Sequence, residues 1–538
     1  MERLQAADEL KVKSHSHGAV AALFALAQEL DVAAVIDKHL ETTGRRLRPA
    51  KAPKAPQPQR PQKNDGLTVG QSLTLAAMGR ACHATSKRGF AGWARTTTVA
   101  ELASVKDVRR LTSQHFWDQM DQVPVEAIAA IEKEIVDRAI KLFKLPLDTV
   151  LFDATNFFTF ISSDNERAQL PARGKQKQKR NDLRQVSVAM LCSRQHGVPL
   201  WHSTYGGNVA DAVCFREVLP VLEERMLDLR EHGADIESVT VVYDKGNVSR
   251  ENQRQVDKCK LHYVSALTVA SQRNLVDEAN PKLDSVELGP GQAVPAYRLK
   301  REIWGAERTV VVLCSERLRK GQMTGAMQHV TKAMQWLSEL AATPERGKQR
   351  RTRGRIERDI ENYLKGRQHL TKLIRFQLSG EDPHLALTYS FNQHAFDTLA
   401  NTTFGRVVLM TDRHNWSTAD IIRAYHGQAA VEAVFAHLKD PVHLALRPQF
   451  HWTDQKLHIH VFTCVLGYLL AQLLHIRARS AGSTYASMEA LLEALERVRK
   501  VTVLRRAPGA TGPPRVTRQL EDVEPDLAEL LPALKIAS

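Results

Sequence analysis

The segment IIRAYHGQAAVEAVFAHLKD, residues 421–440, has the periodicity of one amphipathic helix of twenty residues. A buried helix face is predicted where apolar residues recur at i, i+3, i+4 and i+7, which here are Val431, Val434, Phe435 and Leu438. A second stripe lies about 100° round the helix and consists of Tyr425, Gln428, Glu432 and Lys439. Just before the segment, Ser417 and Asp420 have the spacing of an N-cap and its capping-box acid. The pattern predicts a packed helix that presents one carboxylate between an aromatic hydroxyl and an ammonium group.

Two β-runs earlier in the chain each lead directly into an aspartate. TVLF, 149–152, is predicted to end at Asp153, and VTVVY, 239–243, is predicted to end at Asp244. The chain between them predicts a hairpin and a helix, at 186–191, 198–204 and 211–231. Open α/β sheets place their chemistry at the carboxyl ends of strands, so both aspartates are candidate site residues.

The three acids Asp153, Asp244 and Glu432 fit one chemistry better together than they do singly. An aspartate after a strand is often only a turn former or an N-cap, and a helix glutamate is usually solvated. Two carboxylates held close together repel each other unless a cation lies between them. Mg²⁺ suits an oxygen site that leaves room for water and phosphate, and two such ions can promote phosphodiester transfer. We therefore expect a site for two Mg²⁺ ions, with Mn²⁺ as the alternative.

The overall charge points to a polyanionic partner. The 538 residues contain 75 Lys and Arg against 60 Asp and Glu, a net +15, and the pI is about 9.5. A nucleic acid is the usual partner of so basic a chain, although a basic protein without such a partner fits equally well. At this length we expect two to four domains.

Several function classes find no support in the sequence. The chain contains no GxxxxGK[ST] loop for ATP chemistry, and its late histidines do not have the spacing of a zinc site. The six cysteines form no CxxC pair and are expected to be reduced thiols in the cytoplasm. The N-terminus is charged, unlike a signal peptide, and the apolar run 461–474 is too short to span a bilayer. We expect no membrane association.

The residues around the three acids carry a family resemblance. They are LFDATN (151–156), NDLRQ (181–185), HGVPL (196–200), GGNVAD (206–211) and YDKGNVSREN (243–252). With them, the chain resembles bacterial insertion-sequence transposases of the DDE class, in the insertion-sequence-four group. The signature of that group is Y-x2-R-x3-E-x6-K, and this chain has Tyr425, Gln428, Glu432 and Lys439 at those spacings. The resemblance covers residues 66–265 and 405–475, about half of the chain.

The resemblance implies an α/β fold with a ribonuclease H-like catalytic core. It implies that Asp153, Asp244 and Glu432 are the metal-binding catalytic triad, and that Tyr425 and Lys439 contact transposon-end DNA. Gln428 departs from the signature, because it can hydrogen-bond a phosphate but lacks the charge and the fork of arginine. The implied activity is that of an endonuclease and strand transferase. It would bind the terminal inverted repeats of its own element, act as a synaptic homodimer and join the ends to target DNA. We expect a bacterial cytoplasmic protein, nucleoid-associated when bound to DNA.

The expected domain organisation follows from composition and from the resemblance. The Pro- and Lys-rich strip cannot pack a core and is predicted to be a linker, while SKRGFAGWAR (86–95) makes the following helical region a candidate DNA-binding region. The mixed α/β segment that separates Asp244 from Glu432 is predicted to be an insertion domain. In order, the regions are a helical N-terminal segment (1–44), the basic linker (45–65), the helical DNA-binding region (66–145), the core's first part (146–261), the insertion domain (262–404), the core's second part (405–480) and a helical C-terminal region (481–538).

Two other functions remain open at this point. A phosphohydrolase with an aspartyl nucleophile would fit LFDATN, but such enzymes usually have a second aspartate where this chain has Thr155. A domesticated transposase that only binds DNA would also fit, although all three acids are present. Trp304, in the predicted insertion, is a candidate for stacking on a displaced base, and a core position explains it equally well.

Overall fold

A computed structural model of the chain describes residues 9–42, 66–84, 86–174, 180, 182–231, 239–259, 261–342, 352–382, 384–441, 444, 446, 451–506 and 511–537. The predicted linker, 45–65, lies outside the described residues. The chain divides into two compact units. Unit 1 comprises Met1–Val242, Glu251–Leu261 and Gly427–Ser538, and unit 2 comprises Tyr243–Arg250 and His262–His426.

The described residues contain fourteen β-strands and nineteen α-helices. The strands are β1 Glu9–Ser16, β2 Thr149–Phe158, β3 Gln185–Ser193, β4 Pro199–Gly206, β5 Thr240–Tyr243, β6 His262–Leu267, β7 Asp284–Gly289, β8 Gln292–Ile303, β9 Ala306–Cys314, β10 Ile374–Glu381, β11 His384–Phe391, β12 Arg406–Thr411, β13 Arg499–Arg506 and β14 Arg515–Leu520. The helices are α1 Gly18–Glu29, α2 Val32–Thr42, α3 Val69–His83, α4 Phe90–Thr96, α5 Val99–Leu102, α6 Ser113–Met120, α7 Ala127–Phe143, α8 Asp211–Glu231, α9 Arg250–Val256, α10 Arg273–Ala279, α11 Glu316–Ala342, α12 Arg353–Lys365, α13 Leu370–Leu373, α14 Gln393–Thr402, α15 Thr418–His426, α16 Ala429–Lys439, α17 Asp454–Ser480, α18 Met488–Glu496 and α19 Pro525–Leu530.

The sheet of unit 1 has the strand order β4-β3-β2-β5. β2, β3 and β4 form an antiparallel meander, and Asp153 of β2 lies opposite Met190 of β3. β2 is longer than predicted, because pairing with β3 continues to Phe158. Aromatic and β-branched residues follow Asp153 and favour the extended chain. The prediction that the strand ends at Asp153 is therefore wrong, and this aspartate lies in the middle of the strand.

Buried helices cover this part of unit 1. The predicted apolar run 461–474 lies within α17, a helix of 27 residues that packs against α3. By length and composition alone, α17 and the bent pair α1–α2 could cross a membrane, but 83% of the most apolar window of α17 is buried inside the protein. α7 lies in the region predicted to be helical and buries Ile128, Ile131 and Ile135, whereas Leu142 is 44% exposed. All six cysteines are free thiols.

A three-stranded antiparallel sheet joins the two ends of the chain in the order β1-β13-β14. The prediction of a helical N-terminal segment therefore misses β1, and the prediction of a helical C-terminal region misses β13 and β14. Three consecutive β-branched residues, Val501 to Val503, favour a strand over a helix in RKVTVLRR. Only α18 and α19 are helical beyond residue 481, among the residues that the structure describes.

Unit 2 is built on a five-stranded sheet with the order β6-β12-β9-β8-β7. β12 lies inside it and pairs antiparallel with both β6 and β9. Unit 2 also has a second core, formed by α11 to α14 with the β10–β11 hairpin. It thus contains the segment predicted as an insertion, and also β12 and α15, which we had assigned to the second part of the core. β12 belongs to unit 2 because it pairs with two strands of that unit, β6 and β9.

A buried basic cluster in unit 1 involves the predicted DNA-contacting stretch. The Lys87 ammonium lies 3.3 Å from Nε2 of His451, whose ring stacks against His460 at 4.5 Å. Burial lowers the pKa of Lys87 to about 7, and the neighbouring charges of Arg80 and Lys456 act in the same direction. Lys87 is therefore packed against the protein, unlike the exposed side chains of Arg88 and Arg95 in the same stretch.

Lys87 should make stability depend on pH. A free lysine has a pKa of about 10.4, so between about pH 7 and 10 the unfolded chain binds a proton that folded Lys87 has lost. The unfolding free energy should therefore rise with pH in that window. We expect denaturant titrations of the wild type and Lys87→Met to diverge by about 2 kcal/mol from pH 7 to pH 10, roughly half of the full linkage energy because the ammonium is partly exposed. Parallel curves for the two proteins would contradict the burial of this charge.

Candidate active site

The segment 421–440 forms two helices, so the prediction of one continuous helix is wrong. α15 ends at His426 and α16 begins at Ala429. The division between the two units also falls there, before Gly427. Glycine is a poor helix former because its backbone loses most entropy on ordering, which makes Gly427 a natural break. The predicted second stripe is consequently divided, with Tyr425 on α15 in unit 2 and with Glu432 and Lys439 on α16 in unit 1.

Two local predictions for this segment are confirmed. Ser417 precedes the first residue of α15, and its hydroxyl accepts the backbone N–H of Asp420 at 3.1 Å and donates to the Asp420 carboxylate at 2.6 Å. The predicted apolar stripe is fully buried along α16, at Val431, Val434, Phe435 and Leu438. The sequence pattern therefore predicts the cap of α15 and the buried face of α16 correctly.

Asp244 lies directly after β5 in unit 2, as predicted. Its carboxylate accepts a hydrogen bond from the Tyr425 hydroxyl, with 3.0 Å between the oxygens. Both residues are half-buried. The contact orients one carboxylate oxygen of Asp244, because a hydroxyl donor favours a fixed lone-pair direction on its acceptor.

In unit 1, α16 packs against β2 and β3. The Lys439 ammonium donates to the Thr155 hydroxyl at 2.6 Å and lies 5.4 Å from the centre of the Phe157 ring. Alternate residues of a strand share a face, so Asp153 is on the same face of β2 as these two partners of Lys439. Glu432 is seven residues before Lys439, which places both on the same side of α16, about 10.5 Å apart along the axis. The side of α16 that carries Glu432 therefore turns towards the face of β2 that carries Asp153.

Gln428 occupies the N-cap position of α16 but makes no side-chain capping hydrogen bond. Its Nε2 atom is buried and has no hydrogen-bond acceptor among the residues that the structure describes. A buried amide donor without an acceptor costs about 1–3 kcal/mol.

A different set of contacts holds the opposite side of α16. His437 forms an ion pair with Glu489 of α18, and its ring lies 5.7 Å from the ring of Tyr468. Although burial acts to raise it, the hydrogen bond from His437 brings the pKa of Glu489 down to about 2. Sequence reasoning missed this pair and also missed Thr155 as the anchor of Lys439. The i+5 spacing from Glu432 to His437 gave no signal, since it matches no helix stripe.

Two of the predicted ligands thus lie on adjacent elements of unit 1, while Asp244 belongs to unit 2 with Tyr425. Glu432 is exposed, and Asp153 is half-buried beside the Cys192 thiol, whose pKa is raised by burial and further by the Asp153 charge. Among the described residues, no three His, Cys, Asp or Glu side chains are grouped closely enough to hold a metal ion. The available donors are carboxylate oxygens, which are the ligands that hard divalent cations prefer.

The Lys439–Thr155 hydrogen bond can be tested by a double-mutant cycle. Lys439→Met and Thr155→Val should each lower the opening free energy of α16 amides by about 1 kcal/mol, and the double variant should add little to either. Native-state hydrogen exchange provides the measurement, and Lys141→Met, an exposed lysine of α7, is the control. Additive losses would show that the two side chains act independently.

The family model described as "Transposase DDE domain" matches residues 145–470, more than half of the chain. No curated protein matches the chain. Among solved structures, the chain is similar to a cryo-EM structure of the piggyBac transposase synaptic complex with hairpin DNA, at 10% sequence identity and a TM-score of 0.39. That similarity covers 89% of this chain and 79% of the other.

Proposed function

Because this chain belongs to the transposase DDE domain family, we propose that it binds the terminal inverted repeats of its own element and cuts and joins DNA with the help of Mg²⁺. Members of this family cut DNA and transfer strands, and they generally use divalent metal ions. The single observation that carries the proposal is the docking of Lys439 on Thr155, which turns the Glu432 side of α16 towards Asp153. This contact supports Asp153 and Glu432 as two members of one site.

The proposed metal ligands are the three acids that the resemblance selects, Asp153, Asp244 and Glu432. The donor set fits Mg²⁺, because all the ligands are carboxylate oxygens and few enough to leave positions for water and phosphate. Bound Mg²⁺ would supply Lewis-acid stabilisation of the phosphodiester oxygens. The protein's part is to hold the carboxylates ionised and oriented, and the Tyr425 hydroxyl does this for Asp244.

The remaining residues of the signature would contact the DNA end. The buried Nε2 of Gln428 lacks an acceptor among the described residues, and a phosphate oxygen would satisfy it. Lys439 would contribute its charge to another phosphate of the DNA end while it anchors α16 on β2. Tyr425, which binds Asp244, would contact the end from α15.

The finer assignments belong to the same proposal. The opening meander of unit 1, with β5 beside β2, supports a ribonuclease H-like core. The helical region 66–145 would bind DNA, 262–404 would be an insertion domain, and two copies would form the synaptic complex. Membership of the insertion-sequence-four group rests on the spacing of Tyr425, Glu432 and Lys439. We place the protein in the bacterial cytoplasm, where its DNA is found.

Replacement of Glu432 should separate catalysis from binding. Glu432→Gln keeps the size of the side chain and removes its charge, so Mg²⁺-dependent cleavage of a repeat-bearing duplex should fall by at least about a thousandfold. Affinity for the same duplex should change by less than about threefold, because the glutamate is not proposed to contact phosphate.

Asp153→Asn should behave in the same way, and Glu529→Gln serves as a matched control because Glu529 is exposed on α19. Cleavage would be followed in gels and binding by fluorescence anisotropy. Cleavage by Glu432→Gln at the control rate would remove this residue from the triad. Hydrolysis of a generic phosphomonoester, without cleavage of DNA, would instead favour the phosphohydrolase.

Tyr425→Phe should weaken the metal site without unfolding the protein. The substitution removes only the hydroxyl that donates to Asp244, and loss of such an orienting partner typically costs about tenfold to a hundredfold in metal affinity. The Mg²⁺ concentration that gives half-maximal cleavage should rise by that factor. Mn²⁺ binding measured by calorimetry should show the same shift. Tyr485→Phe, which removes a tyrosine hydroxyl that binds Asp526 on α19, is the control.

A further inference from the structure

The terminal sheet β1-β13-β14 concentrates positive charge. Its 22 residues contain eight lysines and arginines and a single acid, Glu9. They therefore supply seven of the chain's fifteen net positive charges. The charge of this chain is thus localised on one sheet far more than its overall composition indicates.

Most of these eight cations are exposed to solvent. Six of them are exposed, namely Lys11, Lys13, Arg505, Arg506, Arg515 and Arg518. In the described part of the chain, no ion pair is formed by Lys13, Arg505, Arg506 or Arg515. Three other cations of the sheet lie near acids: Arg499 approaches Glu521 at 3.7 Å, and Lys500 and Arg518 approach Glu101 at 3.5 and 4.0 Å.

The strand register places like charges opposite each other. Arg505 of β13 is directly paired with Arg515 of β14, and Lys13 shares a row with Arg518 across Thr502. Like charges that face each other across strands destabilise a sheet. Among the described residues, Arg505 and Arg515 form no ion pair, whereas Arg518 has Glu101 at 4.0 Å. A polyanion laid on the face that carries Lys13 and Arg518 would relieve the repulsion there.

Apolar side chains are exposed on both faces of the same region. Val12 is 57% exposed and lies on the face that carries Arg505, while Val516 is 47% exposed and lies on the opposite face. The outer part of the sheet is therefore uncovered on both sides. Its three strands span about 10 Å, which is close to the width of the DNA major groove, about 12 Å.

We propose that the sheet β1-β13-β14 is a second DNA-binding surface, which contacts the phosphate backbone of duplex DNA through Lys13, Arg506 and Arg518, three exposed cations that share one face of the sheet. β-ribbons are an established way to enter DNA grooves, and exposed arginines supply affinity through the release of counterions. A second copy of the chain is the less favourable occupant, because a basic edge strand such as β14 repels another copy of itself. The inference rests on the proposed function, which makes DNA the partner.

The test compares two triple variants of the full chain. Lys13→Gln/Arg506→Gln/Arg518→Gln removes three cations from one face of the sheet, and Lys300→Gln/Lys320→Gln/Lys365→Gln removes three exposed, ion-paired lysines of unit 2. Anisotropy titrations of a repeat-bearing and an unrelated duplex between 50 and 200 mM salt give the slope of log Kd against log salt concentration. The sheet variant should lose about two to three units of slope on both duplexes, and the control less than one.

Two further readouts make the outcome decisive. Bound duplex should protect Lys13 from acetylation, as measured by mass spectrometry on the unsubstituted chain, while Lys300 stays reactive. Single-turnover cleavage at saturating protein should be the same for the sheet variant and the wild type, since the sheet takes no part in the chemistry. Failure of the wild type to cut DNA would refute the proposed function, whereas a loss of salt slope by the sheet variant alone would still support the sheet.

Two results would overturn this inference. One is a salt slope for the sheet variant equal to that of the control, with Lys13 acetylated equally in free and bound protein. The other is a change in molecular mass on sedimentation with no change in slope, because the sheet would then be an interface between copies of the chain. Equal melting temperatures for both triple variants would show that the comparison is between folded proteins.

Discussion

The hydrogen bond between Lys439 and Thr155 is the contact on which the candidate site depends. It fixes the end of α16 against the strand that carries Asp153, at 2.6 Å between nitrogen and oxygen. The buried stripe of α16 supplies the packing energy but does not set the rotation of the helix, since burial is non-directional. A directional contact at the last turn, opposed by the His437–Glu489 pair on the other side, determines which side chains face β2.

The sequence predicted those parts of the fold that are governed by local periodicity. α8 has the predicted bounds of 211–231, the hairpin strands β3 and β4 were located to within two residues at each end, and the buried face of α16 is as expected. The failures share a physical cause. β2 continues past Asp153 because β3 pairs with it. β13 is a strand because it pairs with β1, at the other end of the chain, and β14 is a strand because it pairs with β13. Such pairings add stability that no short window of sequence contains.

The break at Gly427 shows the same limit in the candidate site. Helical periodicity over twenty residues suggested that Tyr425 and Glu432 share one stripe of a single helix. The first helix ends between them, however, and the two residues belong to different units. The types of residue were informative even so. Tyr425 lies against a carboxylate of the predicted triad, and Lys439 reaches the strand of another. Spacing along the chain identified the residues, whereas their partners could be learned only from the fold.

The charge of the molecule has a further consequence for how it would engage DNA. The signature residues offer few cations, because Gln428 replaces the expected arginine and Lys439 is already bound to Thr155. Affinity for a polyanion must then come from elsewhere in the chain, and β1-β13-β14 carries the largest local excess of charge among its sheets. The two proposals together imply a division of labour, in which α16 and β2 would hold the reacting strand and the separate basic sheet would hold the duplex. Gln428 in place of an arginine would then cost little DNA-binding energy, because the basic sheet would supply most of that energy.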